Sequence, residues 1–329
     1  SNNWLGRCPT CDSWGSLVEI ERNGHPELNE ANLILPYKFS EIMDSNKDLD
    51  RIFFGMPETE RVFGGGMVKG STTLLVGEPG IGKSTLLLHL ADGLIGQNDE
   101  KIYYIAGEES PVQIGIRGKR IGIKGKHLEI LPETNVDLII AELNKNQQSM
   151  VIIDSIQTLF DSSLDSVAGT IGQIRACASK LISWSKVSTV PLLMSGHLTK
   201  EGSVAGPKVL EHSVDVVLQL DGDSSGVFRT LHGLKNRFGS TNEMAVFEMR
   251  ENGLIEVLDP SSDLIAERPK GVPGSVVVPI IEGTRPLLVE VQSLVSQTGN
   301  SFEPRRTATG IELNRLVLIS AVLSKRSLV

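Results

Sequence analysis

One stretch limits what this chain can fold into. Gly77-Glu78-Pro79-Gly80-Ile81-Gly82-Lys83-Ser84-Thr85 fits the phosphate-binding pattern G-x-x-x-x-G-K-[ST]. The pattern carries meaning only between a strand and a helix, and both flanks comply. Thr72 to Val76 is a short β-branched and apolar run, and Leu86 to Ala91 is rich in helix formers. Glycines let a backbone wrap a polyphosphate, and the loop amides point inward at the start of the following helix. Lys83 is then expected to reach the β- and γ-phosphates, and the Ser84 hydroxyl to ligate Mg²⁺. A glycine turn that binds nothing would not need both flanks. The stretch predicts a nucleotide site, with ATP and Mg²⁺ as its occupants.

The rest of the composition agrees with such a fold. A chain of 329 residues suits about two domains, and 40% apolar residues can fill real cores. No apolar run approaches the ~20 residues that span a bilayer, and no leader opens the sequence, so a cytoplasmic protein without membrane partners is expected. Three cysteines, two of them in one CxxC, exclude a disulfide framework. A formal charge of −8 gives no global attraction to nucleic acid, so any DNA contact must come from a local basic lining.

At the N-terminus, Cys8-Pro9-Thr10-Cys11, with Trp4 and Trp14 around it, reads as half of a four-thiolate Zn²⁺ site over residues 1–20. A redox pair would need a helix after it, and Asp12-Ser13-Trp14-Gly15 is poor helix material. The other half-site is missing, as if the chain were trimmed just upstream, and Cys177 lies far away in an apolar helix pattern. Residues 21–50 read as a polar linker. The triple glycine at Gly64 to Gly66, and Gly70, predict tight turns just before the first core strand.

Strand and helix then alternate. Strands are predicted at 101–106, 128–131, 150–154, 190–194, 214–220 and in the runs around Leu231 and Val246, with helices at 110–121, 136–143 and 171–187. Pro111 is expected in the first turn of one helix and Asn135 as the cap of another. Continuous apolar strands in this order predict an α/β core over residues 51–262 with a mostly parallel sheet covered on both faces. From about Glu267 the character changes. A Pro/Gly linker, strands at 275–281 and 286–295 and a helix at 313–323 read as the start of a small α+β domain over 263–329, whose remainder is expected further on.

Chemistry is expected at the carboxyl ends of the strands. Asp154 ends an apolar strand, where a second Mg²⁺-directed carboxylate belongs; a solvated strand-end Asp is the plain alternative. Glu108 and Glu109 follow another core strand. One of them orients the attacking water, or both merely favour the next helix through its dipole. His197 closes a third strand, within reach of a γ-phosphate. The loop Thr199 to Lys208 after it carries glycines and two lysines, and reads either as a mobile connection or as a nucleic-acid loop. Lys235-Asn236-Arg237-Phe238-Gly239, two cations with a turn glycine after a strand, is either a solvated hairpin or a set of cationic fingers for a neighbour's active site.

These motifs together resemble the RadA (Sms) family of bacterial RecA-like DNA repair ATPases. The resemblance rests on Cys8 to Cys11, Gly77 to Thr85, Met150 to Asp154, Gly196 to His212, the pentapeptide Lys235 to Gly239, and Pro304 to Gly310, which is similar to a Lon-protease-like domain. It departs from the family in lacking the first CxxC and in its short Lon-like part. The resemblance implies a RecA-like fold in a homo-hexameric ring, with nucleotide between subunits and single-stranded DNA through the pore. It also implies branch migration on branched DNA alongside recombinase proteins, with Lys235 and Arg237 acting on the adjacent subunit's nucleotide. Two other functions stay open: a nucleotide-gated DNA scaffold without translocation, and an ATP-dependent protease, for which no Ser–Lys pair is recognisable.

Overall fold

The computed structural model describes residues 51–94, 101–197, 207–222, 226–266, 268, 271–282, 284–296 and 305–326. The Cys8/Cys11 half-site, the expected linker 21–50 and residues 199–206 of the expected nucleic-acid loop lie outside them. A two-residue hairpin of β1 (Arg51–Ile52) and β2 (Met67–Val68) comes first. Between its strands sits α1 (Pro57–Val62), a helix the sequence pattern does not announce. It has proline in its first turn but no cap of its own; Glu256, almost 200 residues away, accepts from the Thr59 amide and hydroxyl, both at 2.7 Å. Gly64, Gly65 and Gly66 then turn the chain at positive φ. A Cβ on Gly66 would lie 2.8 Å from the Ile52 carbonyl oxygen, so the hairpin closes only on glycine.

The core alternates as expected: β3 (Thr72–Gly77), α2 (Lys83–Gly93), β4 (Lys101–Ala106), α3 (Pro111–Ile121), β5 (Leu128–Leu131), α4 (Val136–Leu143), β6 (Gln148–Asp154), α5 (Ile171–Ser188) and β7 (Leu192–His197). Then β8 (Val216–Gly222), β9 (Phe228–Asn236), β10 (Met244–Arg250) and β11 (Gly253–Glu256) follow with no helix among the described residues between them. The nine strands form one sheet in the order β11-β10-β9-β8-β3-β7-β6-β4-β5. From β8 to β5 every pairing is parallel, whereas β8 to β11 pair antiparallel. The difference follows from the connections: a helical crossover returns the chain in the same direction, and a short turn reverses it. The sheet is mostly parallel with an antiparallel wing.

Burial on both faces explains the unbroken apolar strands. Leu75, Ile102, Tyr104, Met150, Ile152 and Leu193 pack with Leu86, Leu87 and Leu90 of α2 on one face. Leu74, Val76, Tyr103, Ile105, Val151 and Ile153 pack with α4 and α5, through Val136, Ile139, Cys177 and Leu181, on the other. Successive strand residues therefore enter opposite cores. The helix ends match their sequence signals. Ser110 and Gln113 form a capping box at α3, and Asn135 caps α4 by accepting from the amides of Asp137 and Leu138.

Register decides where the chemistry gathers. Gly77 pairs with His197, and Ala106 with Asp154, so the strands β3, β7, β6 and β4 end at one edge. Beyond the core, α6 (Pro260–Ala266) crosses the expected boundary at residue 262 and packs on the antiparallel hairpin of β12 (Ser275–Glu282) and β13 (Arg285–Gln292). The helix α7 (Leu313–Arg326) buries none of its residues.

Candidate active site

The loop between β3 and α2 is shaped by glycine. Gly80 and Gly82 take positive φ, 78° and 116°. A Cβ on Gly77 would stand 2.6 Å from the Leu220 carbonyl oxygen. No side chain caps α2 at Gly82, which leaves the amides of its first turn to whatever enters the loop. Lys83, only 4% exposed, folds back into this loop. Its Nζ donates to the carbonyls of Gly77 at 3.0 Å and Glu78 at 2.9 Å, and lies 3.0 Å from Nδ1 of His197. Burial lowers the Lys83 pKa, against the opposing charges of Asp154 and Glu108.

Next to the loop, Ser84, Tyr104, Glu108, Glu109 and Asp154 line a small pocket of about 20 Å³. Both Asp154 oxygens are held: Oδ2 accepts from the Tyr104 phenol and Oδ1 from the Ser195 hydroxyl, each at 2.5 Å. One hydroxyl and one carboxylate on a pocket large enough for a single water-sized particle are the hard oxygen donors that Mg²⁺ prefers. The residues present thus fit a magnesium nucleotide. Among the described residues, no group of three or more His, Cys, Asp or Glu forms a separate metal cluster.

The structure separates the two adjacent glutamates. Glu108 Oε1 accepts from the Ser155 hydroxyl at 2.5 Å and from Nε2 of His197 at 3.0 Å. The hydrogen bond from His197 is the largest cause that holds its carboxyl at about 2, with Ser155 and the Lys83 charge adding to it and burial opposing it. Glu109 instead pairs with Arg117 on α3. The two neighbours thus turn to different partners, and Gly107 just before them packs so close to Thr158 that a Cβ would fall 1.8 Å from its hydroxyl oxygen. With Nδ1 facing an ammonium and Nε2 facing a carboxylate, the Nε2–H tautomer of His197 satisfies both partners. Lys83, His197 and Glu108 therefore form one connected line. Tyr104, Ser155 and Ser195 carry no motif of their own. Their only signal in the sequence is a polar side chain in or just after a buried strand.

Lys235 and Arg237 are not brought to this edge. Lys235 and Asn236 end β9, and Arg237 to Gly239 lie in its connection to the antiparallel β10. The Lys235 ammonium donates to the carbonyls of Glu211 at 2.8 Å and Val214 at 2.6 Å; burial, then the Arg237 charge, lowers its pKa. Arg237 donates to Asp215 Oδ1 at 3.0 Å, and Asp215 Oδ2 accepts from the amide and hydroxyl of Thr72. Thr72 begins β3 and Gly77 ends it, so the two cations stand about 17 Å along the strand from the nucleotide edge. The Arg237 side chain is 54% exposed.

Comparison with known proteins adds the following. The AAA domain family matches residues 39–203, and the rubredoxin metal binding domain family matches residues 1–19, which include Cys8 and Cys11. The DNA repair protein RadA of Bacillus subtilis (strain 168) is 44% identical over 334 residues, covering 99% of this chain and 72% of that protein. The DNA repair protein RadA of Aquifex aeolicus (strain VF5) is 44% identical over 330 residues, with the same two coverages of 99% and 72%. Among solved structures, a KaiC-like protein from Pyrococcus horikoshii OT3 superposes with a TM-score of 0.53 at 21% identity, covering 64% of this chain and 99% of its own. That likeness concerns the fold: a RecA-like sheet flanked by helices.

Proposed function

The chain belongs to the family of the DNA repair protein RadA, a P-loop ATPase of RecA-like fold, and we propose that it is an ATP-driven motor that works on single-stranded and branched DNA. In this reading residues 51–262 are the ATPase core of a homo-hexameric ring, and hydrolysis at subunit interfaces drives branch migration alongside recombinase proteins in the cytoplasm. Cys8 and Cys11 are half of a Zn²⁺ site within residues 1–20, and residues 263–329 begin a Lon-like scaffold. The residues 199–208, with Lys200 and Lys208, form the DNA contact that an acidic chain needs to supply locally.

The loop Gly77 to Thr85, with Glu78, Pro79, Gly80, Ile81 and Gly82 between its ends, cradles the phosphates. Lys83 exchanges the carbonyls of Gly77 and Glu78 for a phosphate oxygen. Ser84 and Asp154 would hold Mg²⁺, which when bound neutralises charge on the phosphate oxygens. Glu108 orients the attacking water. A carboxylate held at about 2 is a weak proton acceptor, and the hydrogen bond from His197 is its largest cause. When Lys83 turns to phosphate, His197 is freed on one side, and its release of Glu108 raises the basicity of that carboxylate. His197 thus couples the phosphate-binding state to the water-orienting group. Glu109 holds α3 through Arg117 instead.

One observation carries the reading. Lys83, Asp154, Glu108 and His197 converge on one sheet edge, while Lys235 and Arg237 stand at the opposite edge, out of reach of the same chain's loop. A ring in which one subunit's far edge meets the next subunit's loop gives those cations a substrate. ATP hydrolysis measured with and without single-stranded DNA across a size-exclusion profile tests this. Stimulation by DNA confined to the oligomer peak, with strand displacement on a forked substrate, is expected. Equal hydrolysis in a monomer peak overturns the interface, and DNA binding without displacement leaves a nucleotide-gated scaffold.

A further inference from the structure

Asp154 does not choose its own orientation. Its two oxygens accept from Tyr104 and Ser195, and these residues are 1% and 0% exposed, so neither hydroxyl has bulk water as another partner. Strand register explains the reach. Tyr104 pairs with Ile152 and Ala106 with Asp154, which makes Tyr104 and Asp154 diagonal neighbours on one sheet face, a span an aromatic side chain covers. On the other flank, β6 pairs with β7 up to Ile153 and Met194, which brings Ser195 alongside Asp154. Tyr104 packs in the core shared with α2, and Ser84 of α2 lines the same pocket as Tyr104 and Asp154.

A buried phenol costs stability unless its hydroxyl is satisfied, so a phenylalanine would serve the packing here better. A carboxylate oxygen that accepts one hydrogen bond retains another lone pair, so two hydroxyls can aim the group without saturating it.

The geometry points to Tyr104 as a positioning residue that, together with Ser195, aims the Asp154 carboxylate at the divalent cation and so sets how much cation the ATPase requires. This rests on the reading of the site given above. Partners that orient a metal-directed carboxylate typically change metal affinity by about 10- to 100-fold when removed. Tyr104→Phe deletes one hydroxyl and keeps the ring. The Mg²⁺ concentration for half-maximal hydrolysis should rise about tenfold or more, with kcat at saturating Mg²⁺ within a factor of about three of wild type. A readout independent of turnover is Mn²⁺ binding in the presence of ADP, followed by the loss of the free-ion EPR signal. It should weaken by a similar factor, while ADP binding without cation is unchanged. Ser195→Ala should shift both midpoints in the same direction, and it carries the test if Tyr104→Phe melts more than about 10 °C lower. Wild-type midpoints in the folded variants overturn the inference, as does a fall in kcat at every Mg²⁺ concentration with no change in midpoint. If the wild-type protein itself hydrolyses no ATP, the reading of the site fails instead.

Discussion

The ammonium of Lys83 and the imidazole of His197 lie 3.0 Å apart, and the far nitrogen of that imidazole is 3.0 Å from Glu108. The lysine of the glycine-rich loop and the carboxylate proposed to orient water are thereby joined through one histidine. Lys83→Ala removes the charge proposed to face the γ-phosphate and the ammonium beside His197. ATPase activity should fall by about 10²-fold or more, the cost of losing one preorganised charge-stabilising group. Near-normal hydrolysis by a folded Lys83→Ala protein would remove the loop from the reaction.

The divergence of Glu108 and Glu109 supplies a paired test. Glu108→Gln should lower kcat by about 10²- to 10⁴-fold with nucleotide binding kept, the range for a group that assists proton transfer. Glu109→Gln breaks the partly exposed pair with Arg117, so a loss of about 1 kcal/mol in stability at most is expected, with little change in rate. Single-turnover kinetics and urea unfolding of the two variants read these effects separately. The reverse ranking would exchange their roles.

Glu108 also predicts a pH dependence of stability. Its folded-state carboxyl is lowered from 4.5 to about 2, so its ionised form contributes stability that is complete above the ordinary carboxylate range. That contribution is lost as pH falls from about 4.5 toward 2, because the unfolded chain takes up the proton first. The melting temperature of the wild type should exceed that of Glu108→Gln at pH 6, and the gap should narrow between pH 5 and pH 3 in a thermal series. A constant gap across the series would mean that His197 and Ser155 do not hold this carboxylate in solution.

Much of the fold was legible because each local signal agreed with its neighbours. The apolar runs at β3, β4 and β6 are buried on both faces, and Ser110, Pro111 and Asn135 sit where their chemistry put them. Two elements were hidden for physical reasons. The helix α1 has six residues and takes its cap from Glu256, a partner no local pattern reveals. The antiparallel wing is built from strands whose direction depends on the connections rather than on their apolar pattern. At the site, Gly77 to Thr85 was readable as a loop between strand and helix, and Asp154 and His197 as strand ends. Glu108 and Glu109 were not separable, since adjacent loop residues point differently and only their partners, Ser155 and His197 for one and Arg117 for the other, tell which way each points. Tyr104 and Ser195 converge on Asp154 through strand parity, which becomes visible once the register of β4, β6 and β7 is known.

The far-edge cations lead to the last prediction. Arg237 leans on Asp215, and Asp215 is independently held by the amide and hydroxyl of Thr72. Arg237→Ala therefore leaves Asp215 with two donors, and the fold should survive the change. The guanidinium is about half exposed, as a group that serves another molecule has to be. If it stabilises charge on the adjacent subunit's nucleotide, its removal should lower hydrolysis by about 10³-fold or more while ATP binding persists. Mixing Lys83→Ala subunits with Arg237→Ala subunits sets an intact loop against an intact arginine at some interfaces. Partial ATPase recovery in the mixture, absent from either variant alone, is the expected result. If native mass spectrometry shows mixed rings and no activity returns, Arg237 does not act across the interface. Its bond to Asp215, which holds Thr72 at the start of β3, would then be its whole role.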